Sequence, residues 1–237
     1  MRIEDLTLAE IVTNKPQAAA VLEAFYLDFC CRGKQKLSEA LTDTNQLSKI
    51  VDVLSLIYAE KSQDPNDFEN MPLDKLVDYI LDVHHKYVKT NIPVIMQHVD
   101  KVVLKHGDRH PEMIRIQGLF KRISNDLINH MMKEELILFP RIKAMVSKIN
   151  EGDAVIHVSV ETPILVMEKE HEMAGDIMYE IRKLSNGYTP SESACMTHRL
   201  CLEELKMFEE DLHKHVHLEN NILFPKSIAK EKIFNKN

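Results

Sequence analysis

Four long stretches of the chain place apolar residues three or four positions apart, at about 73–106, 111–149, 160–185 and 190–218, the last continuing through LENNILF. This spacing predicts amphipathic helices, and the short turn-rich connections between them predict an up-down four-helix bundle. An internal repeat supports the prediction, because HMMKEELILFP at 130–140 and HVHLENNILFP at 215–225 are identical at six of eleven positions. We therefore expect two helical hairpins of one plan within residues 72–230.

Residues 1–60 predict a small domain of short helices. Thr7 and Glu10 have the spacing of a capping box, and the apolar stripe after Pro16 predicts a helix that reaches Phe29. The polar segment 61–71 has no apolar period and predicts a linker. With only 6 glycines and many good helix formers, the composition agrees with an all-α protein.

Histidines and glutamates interrupt the apolar stripes at positions that a helix turns towards its core. The second bundle helix has the stripe Ile116, Phe120, Ile123, Leu127, His130, Glu134 and Ile137. The fourth has Leu205, Phe208, Leu212, His215, Glu219 and Ile222, and the third has Ile164, Met167, His171, Ala174, Met178 and Ile181. An ionised carboxylate buried without a partner costs several kcal/mol. A pair of divalent cations removes this cost, because imidazole nitrogens and carboxylate oxygens then become ligands.

The predicted ligands come from all four bundle helices. Residues four apart on a helix rise by ~6 Å along one face, so each His and Glu pair of the repeat can reach one core site. A further histidine precedes each pair at almost equal distance, with either His84 or His85 filling the first of these places. The resulting set is His85 (or its neighbour His84), His130, Glu134, His171, His215 and Glu219. Two bridging glutamates would leave positions for oxide, water or a diatomic ligand.

Two aspartates are candidates for the outer partners of the ligands. Asp126 lies four residues before His130, and Asp211 lies four residues before His215. Each carboxylate could accept the far imidazole N–H and so fix the tautomer of the metal-binding ring.

The other histidines have less support as ligands. His213 and His217 form an alternative pair, but they lie on the face opposite the apolar stripe, which predicts that they are solvated. Surface or loop positions are predicted for His98, His106, His110, His157 and His198.

Charge and cysteine content restrict the partners and the compartment. The net charge is −7 without a basic stripe, so nucleic acid is not an expected partner. No apolar run reaches 18 residues and MRIEDLTLAE lacks a signal-peptide core, so we expect no membrane insertion. The cysteines are Cys30, Cys31, Cys195 and Cys201. Because two are adjacent, they do not form a secreted disulfide framework, and we expect a cytoplasmic protein. Core packing is one role for the adjacent pair.

Several stretches resemble a known family. Residues 72–230 are similar to hemerythrin-like di-iron bundles, and nearly the whole chain resembles the iron–sulfur cluster repair di-iron proteins, the repair-of-iron-centres family. The matching stretches are LAEIVTNKPQAAAVLEAFYLDFCCRGKQ, HHKYVKTNIP, HMMKEELILFP, VMEKEHEMAGD and LENNILFP. DFCC-x-GK together with both LFP motifs is the most specific part of the resemblance.

The resemblance implies two non-haem iron ions with oxo and carboxylate bridges, and it favours His85 over His84. It implies repair of clusters damaged by oxidative or nitrosative stress, with iron supplied from the di-iron site and damaged iron–sulfur proteins as partners. It also adds redox or iron handling to the roles open to Cys30 and Cys31. A sensor or carrier of O2 or NO, and an enzyme that reduces NO, are the alternative functions. A homodimer is left open.

Overall fold

The computed structural model describes residues 2–59, 67–151 and 159–234. Within these residues the secondary structure is helical, apart from one isolated antiparallel bridge between Thr7 and Lys36. The all-α prediction is confirmed. Residues 60–66, which include the first six residues of the predicted linker 61–71, and residues 152–158, which include His157, lie outside the described residues.

The N-terminal part contains a 3-10 turn and four helices. They are Ile3–Asp5, α1 (Leu8–Asn14), α2 (Ala18–Ala24), α3 (Leu37–Ala40) and α4 (Thr44–Ala59). The capping box is present, since the Thr7 hydroxyl accepts from the Glu10 backbone N–H at 3.2 Å and the Glu10 carboxylate accepts from the Thr7 backbone N–H at 2.8 Å. Helix α2 is shorter than predicted and is followed by Tyr26, which has a φ of 56°. Phe29 therefore lies in a loop, where it is buried.

The bundle consists of seven helices and three π-helical turns within the described residues. The helices are α5 (Leu73–Tyr79), α6 (Lys86–His106), α7 (Pro111–Lys133), α8 (Phe139–Glu151), α9 (Glu161–Leu184), α10 (Met196–Leu218) and α11 (Phe224–Phe234). The turns π1 (Ile80–His85), π2 (Glu134–Leu138) and π3 (Glu219–Leu223) join them into four rods. Helix α6 contacts α7 and α10, while α9 contacts the same two helices, so the rods close around one core.

The wide turns change which residues face the core. The predicted stripe of regular spacing included Ile137, but Ile137 is 45% exposed and Leu138 is fully buried instead. A π turn contains one residue more than an α-helical turn, so the apolar face moves one position along the chain. In the second copy of the repeat, Ile222 and Leu223 are both buried.

Buried apolar side chains form two clusters along the bundle. The larger cluster combines the N-terminal helices with residues such as Phe120 and Phe208, and the smaller one contains residues such as Leu76, Phe139 and Phe224. The predicted metal ligands occur between these clusters on each rod. Among the residues described, no helix combines the length and apolar character that crossing a bilayer requires.

Candidate metal centre

Two overlapping groups of buried side chains occupy the middle of the bundle. One comprises His85, Glu134, His215 and Glu219, and the other comprises His130, Glu134, His171 and Glu219. In each group the candidate ligand atoms lie within 4.8 Å of one another. The six residues that the sequence predicted are therefore together, and both glutamates belong to both groups. Such sharing is the arrangement expected of two neighbouring metal positions bridged by carboxylates.

The Nε2 atom of each histidine faces a glutamate. His85 Nε2 and His130 Nε2 both lie 3.3 Å from Glu134 Oε2. His215 Nε2 lies 3.2 Å from Glu219 Oε1.

His171 faces Glu219 through its own Nε2, which lies 3.2 Å from Glu219 Oε2. It also lies 2.9 Å from His130 Nε2, so two imidazole nitrogens point at each other across the core. Each carboxylate thus faces two imidazoles, one from each group.

The donor set fits a pair of metal ions. Buried atoms without a hydrogen-bond partner include Glu134 Oε1 and Oε2, Glu219 Oε1 and Oε2, His85 Nε2 and His215 Nε2. Their 3.2–3.3 Å approaches to one another lack hydrogen-bonding geometry. A buried carboxylate with no hydrogen bond is costly, whereas coordination of cations uses these same oxygen and nitrogen atoms.

When protons rather than metal ions are bound, the buried histidines and glutamates of the two groups neutralise one another's charges. Burial opposes a charge on His130, but the Glu134 carboxylate and further acceptors outweigh it and raise the pKa of His130 to about 10. For Glu219, burial is opposed by the His215 and His171 imidazoles, which hold the pKa of the carboxyl well below its usual value. The core therefore favours ionised carboxylates, which is the state that binds cations.

Three of the four ligand histidines have an outer acceptor at Nδ1. His85 Nδ1 lies 2.7 Å from Glu135 Oε1, and His130 Nδ1 lies 2.9 Å from Glu170 Oε2. His171 Nδ1 lies 2.8 Å from Oδ1 of Asn220, an amide oxygen in turn π3. Such partners leave the Nε2 lone pair directed at the metal position.

These partners correct the predictions for Asp126 and Asp211. The Asp126 side chain is 60% exposed and pairs with Arg122 at 3.7 Å, while Asp211 Oδ1 lies 3.0 Å from His84 Nδ1. The spacing argument considered only the ligand's own helix, whereas the Nδ1 edges of His85, His130 and His171 face acceptors contributed by another rod. The sequence did contain a signal, since Glu135, Glu170 and Asn220 each adjoin a predicted ligand.

His84 lies behind the metal ligands. Its ring is buried and stacks on the His215 ring, with centroids 5.4 Å apart and 3° between the planes. It belongs to neither ligand group, whereas His85 belongs to one. The geometry therefore favours His85 as the ligand from this rod.

The N-terminal domain covers His213 and His217, the alternative pair of candidate ligands. His213 Nδ1 lies 2.6 Å from Glu23 Oε1, and His217 Nε2 lies 3.3 Å from Thr13 Oγ1. The Phe29 ring makes T-shaped contacts with both imidazoles, with interplanar angles of 75° and 70°. The prediction of a solvated face was wrong because it did not include a domain docked on that face. Burial lowers the pKa of His217 to about 4.

Of the other histidines predicted at surface or loop positions, His198 differs from its prediction. His198 is 3% exposed, and its ring lies 4.7 Å from that of His110. His98 is half-buried, with Nδ1 2.7 Å from Glu204 Oε2. His198 precedes His215 by 17 positions, which places it ~25 Å along α10 from the metal centre.

Cys30 and Cys31 lie in the loop that docks on the bundle. Their sulfur atoms are 3.8 Å apart, and Asp28 Oδ1 accepts from both backbone N–H groups, at 3.1 and 2.8 Å. Contact with Cys31 and burial raise the pKa of the Cys30 thiol well above its usual value. Asp28, Cys30 and Cys31 form a third group that could hold a metal ion.

The fold and the centre define a hemerythrin-type four-helix bundle with a candidate di-metal site. Residues 76–227 match the hemerythrin HHE cation binding domain, and residues 4–57 match ScdA_N, described as a domain of unknown function.

The chain is also similar over its whole length to curated relatives. The iron–sulfur cluster repair protein YtfE of Dickeya chrysanthemi is 34% identical over 234 residues, which cover 98% of this chain and 100% of that protein. YtfE of Escherichia coli O81 and of Escherichia fergusonii are each 32% identical over 233 residues, with the same coverage. The chain therefore belongs to the YtfE-like family of iron–sulfur cluster repair proteins.

Proposed function

We propose that this protein repairs iron–sulfur clusters damaged by oxidative or nitrosative stress by supplying iron from its di-metal centre. The observation that carries the proposal is the pair of buried ligand groups sharing Glu134 and Glu219. The YtfE relatives are named as iron–sulfur cluster repair proteins, which supports the same role here. Iron bound at this centre would supply ions able to exchange between Fe(II) and Fe(III). A mixed set of imidazole and carboxylate ligands suits iron in both states.

The proposed ligands act together with their surroundings. His85, His130, His171 and His215 would bind through Nε2, and Glu134 and Glu219 would bridge. Acceptors at Nδ1 orient three of the rings, and the apolar clusters on both sides exclude water from the centre. Two iron ions with carboxylate and oxo bridges are the cofactor that we propose.

Cys30 and Cys31 are proposed to handle iron as it leaves. With Asp28 they line a cavity of about 550 Å³, which also contains Glu172 and Asp176 from α9, the helix that carries His171. The thiol and carboxylate groups along this one cavity offer sulfur and oxygen ligands to a departing cation. Damaged iron–sulfur proteins are the proposed recipients, and the reducing cytoplasm, where free cysteines persist, is the proposed location.

Iron transfer to an acceptor tests this function. The full-length protein is loaded anaerobically with ⁵⁷Fe(II), characterised by Mössbauer spectroscopy, and mixed with an apo iron–sulfur protein and sulfide. We expect a di-iron spectrum and then loss of iron to the acceptor faster than to an equal concentration of a chelator. Iron retained in the presence of the acceptor would instead indicate an O2 or NO carrier. Catalytic consumption of NO with a reductant, without iron transfer, would indicate an NO-reducing enzyme. Either outcome contradicts the proposal.

A further inference from the structure

The side chain of Asn220 connects the metal centre to the cysteine loop. Its Oδ1 accepts a hydrogen bond from His171 Nδ1 at 2.8 Å, and its Nδ2 donates to the Cys30 carbonyl at 3.4 Å. Asn220 is part of turn π3 and directly follows Glu219, which faces both ligand groups. One amide therefore touches a proposed ligand on one side and the docked N-terminal domain on the other.

The other outer partners have no such connection among the residues that the structure describes. Glu135, which holds His85, also accepts from Lys89 at 2.6 Å, and both residues belong to the bundle. Glu170, which holds His130, pairs with a lysine of the bundle in the same way. Among the three ligands with an outer acceptor, His171 alone depends on a residue that also binds the N-terminal domain.

Asn221 offers a comparison within the same turn. Its Nδ2 donates to the carbonyls of Phe29 and Cys30, at 3.3 and 3.1 Å, so it holds the same loop. Its contact within the bundle is with His217 Nδ1, at 3.2 Å, and His217 belongs to neither ligand group. Asn221 therefore holds the loop without contacting a proposed metal ligand.

We propose that Asn220 is a positioning residue that couples metal occupancy at His171 to docking of the Cys30–Cys31 loop. The inference rests on the proposed di-metal centre. A metal on Nε2 keeps the proton on Nδ1, which fixes the Asn220 oxygen towards His171 and its amide nitrogen towards Cys30. Because coupling between two sites is reciprocal, a partner that lifts the loop weakens metal binding at His171 by the factor through which metal strengthens docking. Iron would thereby be released when the cysteines are engaged.

Three substitutions in the full-length chain separate the two contacts. Asn220→Ala removes both, whereas Asn220→Asp keeps an acceptor for His171 but loses the donor to Cys30. Asn221→Ala is the matched control for loop docking. Fe(II) affinity is measured anaerobically by chelator competition, and alkylation of Cys30 and Cys31 by N-ethylmaleimide is measured with and without Fe(II). No acceptor protein is present, so failure of the proposed repair function would not affect the result.

For Asn220→Ala we expect about 10–100-fold weaker binding of one Fe(II), the usual effect of losing an outer partner. For Asn220→Asp and Asn221→Ala we expect affinity within a few-fold of the unsubstituted protein. Fe(II) should slow alkylation at least about five-fold in the unsubstituted protein and in Asn221→Ala. This protection should vanish in both Asn220 variants. Equal protection in Asn220→Ala would overturn the proposal and indicate Fe(II) bound directly by the thiols. Absence of protection in the unsubstituted protein, or equal effects of Asn220→Ala and Asn221→Ala, would also overturn it.

Discussion

Replacing Glu219 with leucine should remove a ligand from both metal positions at once. Glu219 Oε1 faces His215 Nε2 and Oε2 faces His171 Nε2, each at 3.2 Å, and the side chain is fully buried. Loss of an outer partner costs 10–100-fold in metal affinity, so we expect the loss of this direct ligand to weaken binding by at least about 100-fold. Leucine has a similar volume, which preserves packing between the two apolar clusters.

The expected change in stability follows from the fact that metal binds the folded protein and not the unfolded chain. At a free metal concentration of about 100 times the dissociation constant, binding stabilises the folded protein by ~2.7 kcal/mol. A 100-fold weaker site leaves ~0.4 kcal/mol at the same concentration. With ~2–4 °C per kcal/mol for a chain of this size, Fe(II) should raise the Tm by ~5–11 °C in the unsubstituted protein and by ~1–2 °C in Glu219→Leu.

Anaerobic thermal unfolding with and without Fe(II), followed by circular dichroism, measures both shifts. Glu203→Leu serves as the control, because Glu203 is exposed on α10, and it should keep the full shift. Glu219→Gln provides a second, nearly isosteric variant. If Glu219→Leu binds two iron ions and shows the unsubstituted shift, the ligand set is incorrect.

Three further predictions concern the surroundings of the centre. Glu170→Ala should weaken Fe(II) binding by about 10–100-fold in chelator competition, because His130 Nδ1 loses its acceptor. An equal effect of Glu168→Ala on the same helix would contradict this reasoning. Since the buried Glu134 carboxylate raises the pKa of His130 to about 10, we expect the metal-free protein to hold a proton there at pH 7.5. Metal binding should release it and weaken as the pH falls, so calorimetry in buffers of different ionisation enthalpy should give different binding enthalpies, and identical values would refute the assignment. Arg182→Met leaves the Glu209 carboxylate, now bound at 2.8 and 2.9 Å, buried without its cation, and should lower the free energy of unfolding in urea by ~3–5 kcal/mol. A loss below about 1 kcal/mol would show that the pair is not effectively buried.

The repeat in the sequence was sufficient to locate the candidate centre. His130 with Glu134, and His215 with Glu219, interrupt apolar stripes whose spacing already specifies the buried face. Amphipathic spacing therefore predicted both the bundle and the burial of these side chains in its core, because both depend on one helical period.

Features that depend on irregular backbone or on another element could not be read in this way. The burial of Leu138 in place of Ile137 results from the additional residue in turn π2, which a regular period does not describe. His213 and His217 are buried by a domain distant in sequence, and the acceptor of His130 comes from another rod. A helical period assigns a face to each residue, but it does not say what covers that face.

The position of the ligands between the two apolar clusters has a consequence for cooperativity. Leu76, Phe139 and Phe224 pack at one end of the bundle, and the six polar ligands separate them from the larger cluster that includes Phe120 and Phe208. Bound metal would link the two ends through its bonds to the ligands. Without metal, few apolar contacts would connect the two clusters across the polar layer. Amide hydrogens of α5, α8 and α11 would then exchange through opening of that end alone, at a lower free energy than global unfolding. Metal binding at the centre would thus make the whole bundle unfold as a single cooperative unit.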